Sequence, residues 1–124
     1  MRVVDSCGWL EFFKGGPLEQ AYGELLASEG VLVPAVVVYE VYRTVRRQVS
    51  EQAAGTAVAL LRRSEVVDLD DGLAVLAAEL SIEHHLAMAD AMVYATAVQY
   101  DAELVTSDSD LAGLPGVTYL ERPS

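Results

Sequence analysis

Val31-Leu32-Val33-Pro34-Ala35-Val36-Val37-Val38-Tyr39-Glu40-Val41 changes its period in mid-run, and that change decides the fold class. Val31-Leu32-Val33 is short and uniformly apolar, which reads as a strand buried on both faces. Pro34 has a fixed φ and no N–H to donate, so it suits the opening of a helix, which runs to about Ser50. At 100° per residue, Val36, Val37, Glu40, Val41 and Thr44 share one broad helical face. Glu40 lies near the middle of that face, where a neutral residue would ordinarily pack. A carboxylate in such a place needs a partner, because desolvating a charge is costly.

The same alternation extends in both directions. Val3-Val4 is a short strand followed by a helical turn from Ser6 to Phe13. Gly15-Gly16-Pro17 breaks it, and Pro17 is placed to open a helix carrying Leu18, Tyr22, Leu25 and Leu26 and stopping near Gly30. A helix over about Gln52 to Arg63 precedes a strand at Glu65-Val66-Val67. Asp68, Asp70 and Asp71 are N-cap candidates for a helix that presents Leu73, Leu76, Ala77 and Leu80 on one side. Another helix runs from about Ala89 to Tyr100, and strands follow at Glu103–Thr106 and Val117–Leu120. Short apolar strands alternating with helices imply an α/β fold whose parallel sheet is covered on both faces. Sites in such sheets form outside the carboxyl ends of the strands.

Three more acids sit where folding alone would not put them. Asp5 ends Val3-Val4, Asp90 interrupts Leu86-Ala87-Met88-Ala89-Asp90-Ala91-Met92, and Asp108 follows Leu104-Val105-Thr106. On its helix Asp90 falls beside Val93, Tyr94 and Ala97, so it and Glu40 are expected to point toward the sheet. Thr106, Asp108 and Asp110 alternate and share a direction if that segment stays extended. Clustered carboxylates repel one another unless a cation neutralises them. An oxygen-only donor set selects Mg²⁺ or Mn²⁺ rather than zinc. Such an ion can activate a water and stabilise charge on a phosphoryl group, which is nuclease chemistry.

Composition bounds the rest. At 124 residues with 52% hydrophobic content the chain is read as one domain spanning 1–124, and disorder is excluded. No apolar run reaches transmembrane length and no secretory signal opens the chain, so the expected setting is cytoplasmic and away from membranes. The lone Cys7 agrees with a reducing compartment and reads as a small apolar filler. The net charge of −11 repels nucleic acid on bulk electrostatics. Any polyanion must therefore be met by metal and by the local arginines, Arg43, Arg46, Arg47, Arg62 and Arg63.

With these segments in place, the chain resembles a PIN domain, and more narrowly the VapC-type toxin ribonucleases of toxin–antitoxin pairs. The resemblance rests on Val3-Val4-Asp5-Ser6, on Val33-Pro34 through Glu40, on Ala89-Asp90-Ala91-Met92-Val93-Tyr94 and on Leu104-Val105-Thr106-Ser107-Asp108-Ser109-Asp110, in that order. It implies a three-layer α/β/α sandwich with a short central parallel sheet and a Mg²⁺- or Mn²⁺-dependent endoribonuclease. It also implies a homodimer and a small VapB-like antitoxin partner that blocks the site. Carried over by position, Asp5, Glu40, Asp90 and Asp108 are the catalytic acids, with Asp5, Asp90 and Asp108 on the metal and Asp110 and Thr106 in support. Leu111 stands where the family often has an aromatic, and Asp101-Ala102 replaces a common glycine.

Each residue also has a plainer reading. Asp5 and Asp90 can cap helices, and Asp108 and Asp110 can form loop turns, but neither reading accounts for Glu40. Arg43 and Arg47 flank Glu40 and can meet RNA phosphate or form salt bridges to acids such as Glu40 itself. Arg62-Arg63 suit a helix C-terminus, His84-His85 a helix end or a partner contact, and Trp9, Phe12 and Phe13 packing. Two other functions stay open: a catalytically inactive PIN-like scaffold, which the intact acids oppose, and a receiver-like phosphate-handling domain. The receiver reading lacks a second acid beside Asp5 and a lysine after the last strand.

Overall fold

The computed structural model describes residues 1–123. Five parallel strands, β1 (Arg2–Val4), β2 (Val31–Pro34), β3 (Glu65–Val67), β4 (Glu103–Thr106) and β5 (Val117–Tyr119), pair in the order β3-β2-β1-β4-β5. Six helices connect them: α1 (Ser6–Lys14), α2 (Glu19–Leu26), α3 (Ala35–Gln48), α4 (Glu51–Leu61), α5 (Asp71–His84) and α6 (Met88–Gln99). Val3, Val4, Val33 and Leu104 are wholly buried, as strands sandwiched between helical layers must be.

Strand order places the site. The chain steps outward from β1 to β2 to β3, then jumps back past β1 to β4. Right-handed crossovers put the helices of the two directions on opposite faces of the sheet. The reversal leaves a crevice at the carboxyl ends of β1 and β4, which are paired in register from Arg2 opposite Glu103 to Val4 opposite Val105. Asp5 is the next residue after β1, and Asp108 is two beyond β4.

Several element boundaries shift for local reasons. Pro17 does not open α2: it lies in a turn, and the helix starts at Glu19. Glu11 holds that turn, since its buried carboxylate accepts the Leu18 N–H at 3.1 Å and pairs with Arg122 at 3.3 Å. Pro34 closes β2 and α3 begins one residue later, at Ala35. Of the three N-cap candidates, Asp70 caps α5, accepting from the Leu73 N–H at 2.8 Å. Ser109–Leu111 forms a 3₁₀ turn, so the segment after β4 is not extended through Asp110. Leu111 is wholly buried. Asp101 has φ of +50°, the left-handed conformation for which glycine is the usual choice.

Trp9, Phe13 and His84 pack, whereas His85 is exposed. Trp9 is 2% exposed and its ring lies 6.2 Å from that of Phe13, while His84 meets Tyr94 edge to face at 5.8 Å. Among the described residues, no helix is long and apolar enough to cross a membrane.

One close approach ties the first helical hairpin to the site. A Cβ at Gly8 would stand 2.4 Å from the Tyr22 ring and 2.7 Å from Val4. Without that atom, α2 can bring Tyr22 over α1, where its hydroxyl hydrogen-bonds the Ser107 hydroxyl at 2.6 Å. Gly8→Ala is therefore expected to overpack the hairpin and cost about 1–3 kcal/mol. Urea unfolding measures this, and a variant as stable as the parent would contradict the packing argument.

Candidate functional site

Asp5 is the buried centre. It is 4% exposed, and its two oxygens face different donors: Oδ1 accepts the Ser6 N–H at 2.8 Å, and Oδ2 accepts the Thr106 hydroxyl at 2.8 Å. The same Thr106 oxygen accepts the Asp108 N–H at 2.9 Å, so one hydroxyl orients two acids. Asp108 in turn accepts the Asp110 N–H at 2.9 Å and caps the 3₁₀ turn. Cys7 is more than filler. Its Sγ accepts the Ser107 N–H at 3.3 Å and lies 3.5 Å from the Thr106 hydroxyl, bracing the segment that carries Asp108.

Asp90 enters from the first turn of α6 and completes a triad. One oxygen each from Asp5, Asp90 and Asp108 lies within 4.8 Å of the others. Glu40 stands outside that triad but feels it: burial, then the charges of Asp5 and Asp108, raise its pKa, against a lowering hydrogen bond from Ser6. Asp110 is exposed on the rim. Arg43 and Arg47 are exposed on α3, and among the described residues neither forms an ion pair, so the salt bridge to Glu40 is not made.

Electrostatics describe an uncompensated acidic pocket. Burial raises the pKa of Asp5, with Asp108 adding to it, while the Thr106 and Ser6 hydrogen bonds work against it. Burial and then the neighbouring charges of Asp108, Asp5, Glu40 and Asp110 push Asp90 up to about 7. Among the described residues no arginine, lysine or histidine pairs with these acids.

The donor set fits a hard divalent ion. Octahedral oxygens about 2.1 Å from Mg²⁺ are separated by about 3 to 4.2 Å, so the triad needs little adjustment to hold one. Cys7 does not turn the site toward zinc, because the converging ligand atoms are the carboxylate oxygens of Asp5, Asp90 and Asp108 alone. A concavity of about 710 Å³ between α3, α4 and the end of α1 is lined by residues such as Val45, Val49, Ala53 and Leu60 and contains no acid. Size is no guide here; the clustered acids lie at the carboxyl ends of β1 and β4.

With this arrangement in view, the comparisons are decisive at the level of family. The PIN-domain profile matches residues 2–117. The chain belongs to the PIN-domain family. A search of curated proteins finds no match. Solved structures give the fold: a toxin–antitoxin complex from Klebsiella pneumoniae superposes with a TM-score of 0.80 at 23% identity, over 98% of this chain and 99% of that one. The Mycobacterium tuberculosis toxin VapC20, a sarcin–ricin loop cleaving toxin, superposes at 0.77 with 22% identity, over 99% and 100%. VapBC2 from Rickettsia felis, bound to a promoter DNA fragment, gives 0.76 at 15% identity, over 98% of each chain.

Two features of this PIN domain escape sequence reading: the Tyr22–Ser107 bond and the bracing by Cys7. Only the glycine at position 8, inside a helix, marks the first. No local signal marks the second.

The pKa shifts set a pH dependence for the chelator-treated protein. Asp5, Glu40 and Asp90 have raised values, so the folded state holds protons that the unfolded chain has released. Stability is then greatest at the acidic end and falls as pH rises from Asp90's ordinary 3.8 through about 7. Millimolar Mg²⁺ or Mn²⁺ should restore stability at pH 8, by binding the folded state alone. Thermal unfolding at pH 5 and pH 8, with chelator and with ion, measures both effects. A pH-independent midpoint that ignores added metal would contradict the repulsion.

Proposed function

We propose that this PIN domain is a divalent-metal-dependent endoribonuclease and the toxin of a VapBC-type pair. One observation carries the reading: three buried or half-buried carboxylates converge to 4.8 Å, and among the described residues no cation pairs with them. Neighbouring folds that include a sarcin–ricin loop cleaving toxin and toxin–antitoxin complexes support it. In this reading Asp5, Asp90 and Asp108 hold Mg²⁺ or Mn²⁺, which supplies an activated water and stabilises charge on the phosphoryl group. Thr106 and the Ser6 N–H fix the Asp5 oxygens, and Asp110 braces Asp108 through its N–H. Glu40, outside the triad and with a raised pKa, is suited to exchange a proton with water at the scissile phosphate. Arg43 and Arg47 are free to contact phosphate beside it.

The protein partner follows from the same reading. We assign a small antitoxin that occupies the site and supplies the missing positive charge. A homodimer belongs to this picture as well, supported by Val75 and Ile82, which lie on one side of α5 at 64% and 73% exposure.

Asp5→Asn should lower RNA cleavage with Mg²⁺ or Mn²⁺ by more than about a hundredfold and weaken metal affinity. Replacing Arg43 and Arg47 with alanine should weaken RNA binding and flatten its salt dependence while metal binding survives. Cleavage of defined RNAs with parallel calorimetry separates the two; full activity in the Asp5 variant would sink the nuclease. Co-expression with a small antitoxin that copurifies with the protein should abolish cleavage by the purified complex, and an active complex would reject inhibition by site occupation.

A further inference from the structure

α3 presents a second chemistry on its outer side. Counting 100° per residue from Glu40, Arg43 lies about 60° around the helix, Tyr39 about 100° and Tyr42 about 160°, all on the same side. Tyr39 is 64% exposed and Tyr42 39%, which is unusual for large rings in a chain with this much apolar content. They wall a cleft of about 510 Å³ between α3 and α4, with Ala35 and Val38 behind them and Arg62 at the end of α4.

Two observations say what the cleft accepts. The chain has eight Lys and Arg in all, against 19 acids. Arg2 pairs with Glu103 and Arg122 with Glu11, while Arg43, Arg46, Arg47, Arg62 and Arg63 form no ion pair among the described residues. All five lie on α3 or in the turn that closes α4. The second observation is Gly55. It sits inside α4, where glycine is a poor helix former, yet a Cβ built there would meet nothing within 4 Å. Packing gives no reason for the missing side chain; it leaves the cleft floor open.

We propose that the α3–α4 cleft binds a base of the single-stranded RNA substrate, stacked on Tyr39 and Tyr42, with Arg62 on its phosphate. The proposal rests on the ribonuclease reading and adds a substrate-positioning site to it. The strand would cross α3 over Arg43, about one helix width from the carboxylates. Stacking accepts any base, so the cleft favours single strands over duplexes, whose bases are already stacked.

The test uses labelled oligoadenylate and oligouridylate, with binding read by anisotropy in chelator so that no cleavage intervenes. Tyr39→Ala with Tyr42→Ala should lower affinity about five- to a hundredfold, and the double phenylalanine variant should retain it. Gly55→Leu fills the floor with a better helix former, so the protein should melt no earlier than the parent yet bind RNA more weakly. Mn²⁺ affinity by calorimetry should stay unchanged in every variant. RNA affinity equal to the parent's in the alanine and leucine variants would overturn the cleft while leaving the nuclease intact. A parent protein that binds Mn²⁺ but neither binds nor cleaves RNA in its presence would overturn the ribonuclease reading together with the cleft. A Gly55→Leu variant that changes oligomeric state in light scattering without losing RNA affinity would make the cleft a protein interface, and the proposal would be wrong.

Discussion

The hydrogen bond from the Thr106 hydroxyl to Asp5 is the constraint on which the site's geometry depends. It is buried, and it spans the junction between β1 and β4. A carboxylate this enclosed is costly unless its oxygens are occupied, and among the described residues no cation side chain pairs with it. The strand pairing that seats Val4 opposite Val105 therefore also fixes where Asp5 and Asp108 stand. The acidic centre inherits its rigidity from the sheet.

Around that centre the protein keeps its charges apart. Carboxylates gather at the carboxyl ends of β1 and β4, while the unpaired arginines lie along α3 and at the end of α4. Like charges held together in this way are poor for stability, and their persistence in the folded chain fits groups kept for a ligand. Glu40 and Arg43 mark the border. One turn of α3 separates a side chain facing the acids from one facing solvent.

Much of this was legible in the sequence because it is written in local periods. Three-residue apolar strands, helix-opening residues and acids set inside apolar runs all read directly, so the parallel α/β fold and the positions of Asp5, Asp90 and Asp108 could be inferred. Features that depend on contact between distant segments could not. The Glu11–Arg122 pair joins residues far apart in the chain, and nothing near either residue announces it. Cys7 looks like filler until Ser107 is folded against it. The direction of Asp110 depended on an extended backbone, and the Asp108 cap turns that backbone into a 3₁₀ helix. Asp101 shows a subtler case: its backbone takes the conformation that glycine favours, and an aspartate gives little local sign of it.

The acids are divided between the two ends of the chain. Asp5 and Glu40 belong to the opening strand–helix units, whereas Asp90 and Asp108 arrive with α6 and the turn after β4. β1 also lacks one of its two neighbours until β4 exists. A chain still emerging from the ribosome therefore carries neither a complete charge cluster nor the Thr106 hydroxyl that orients Asp5. For the proposed nuclease, the acidic site assembles only after the segment carrying Thr106 and Asp108 has joined the sheet, which gives synthesis itself the character of a safety catch.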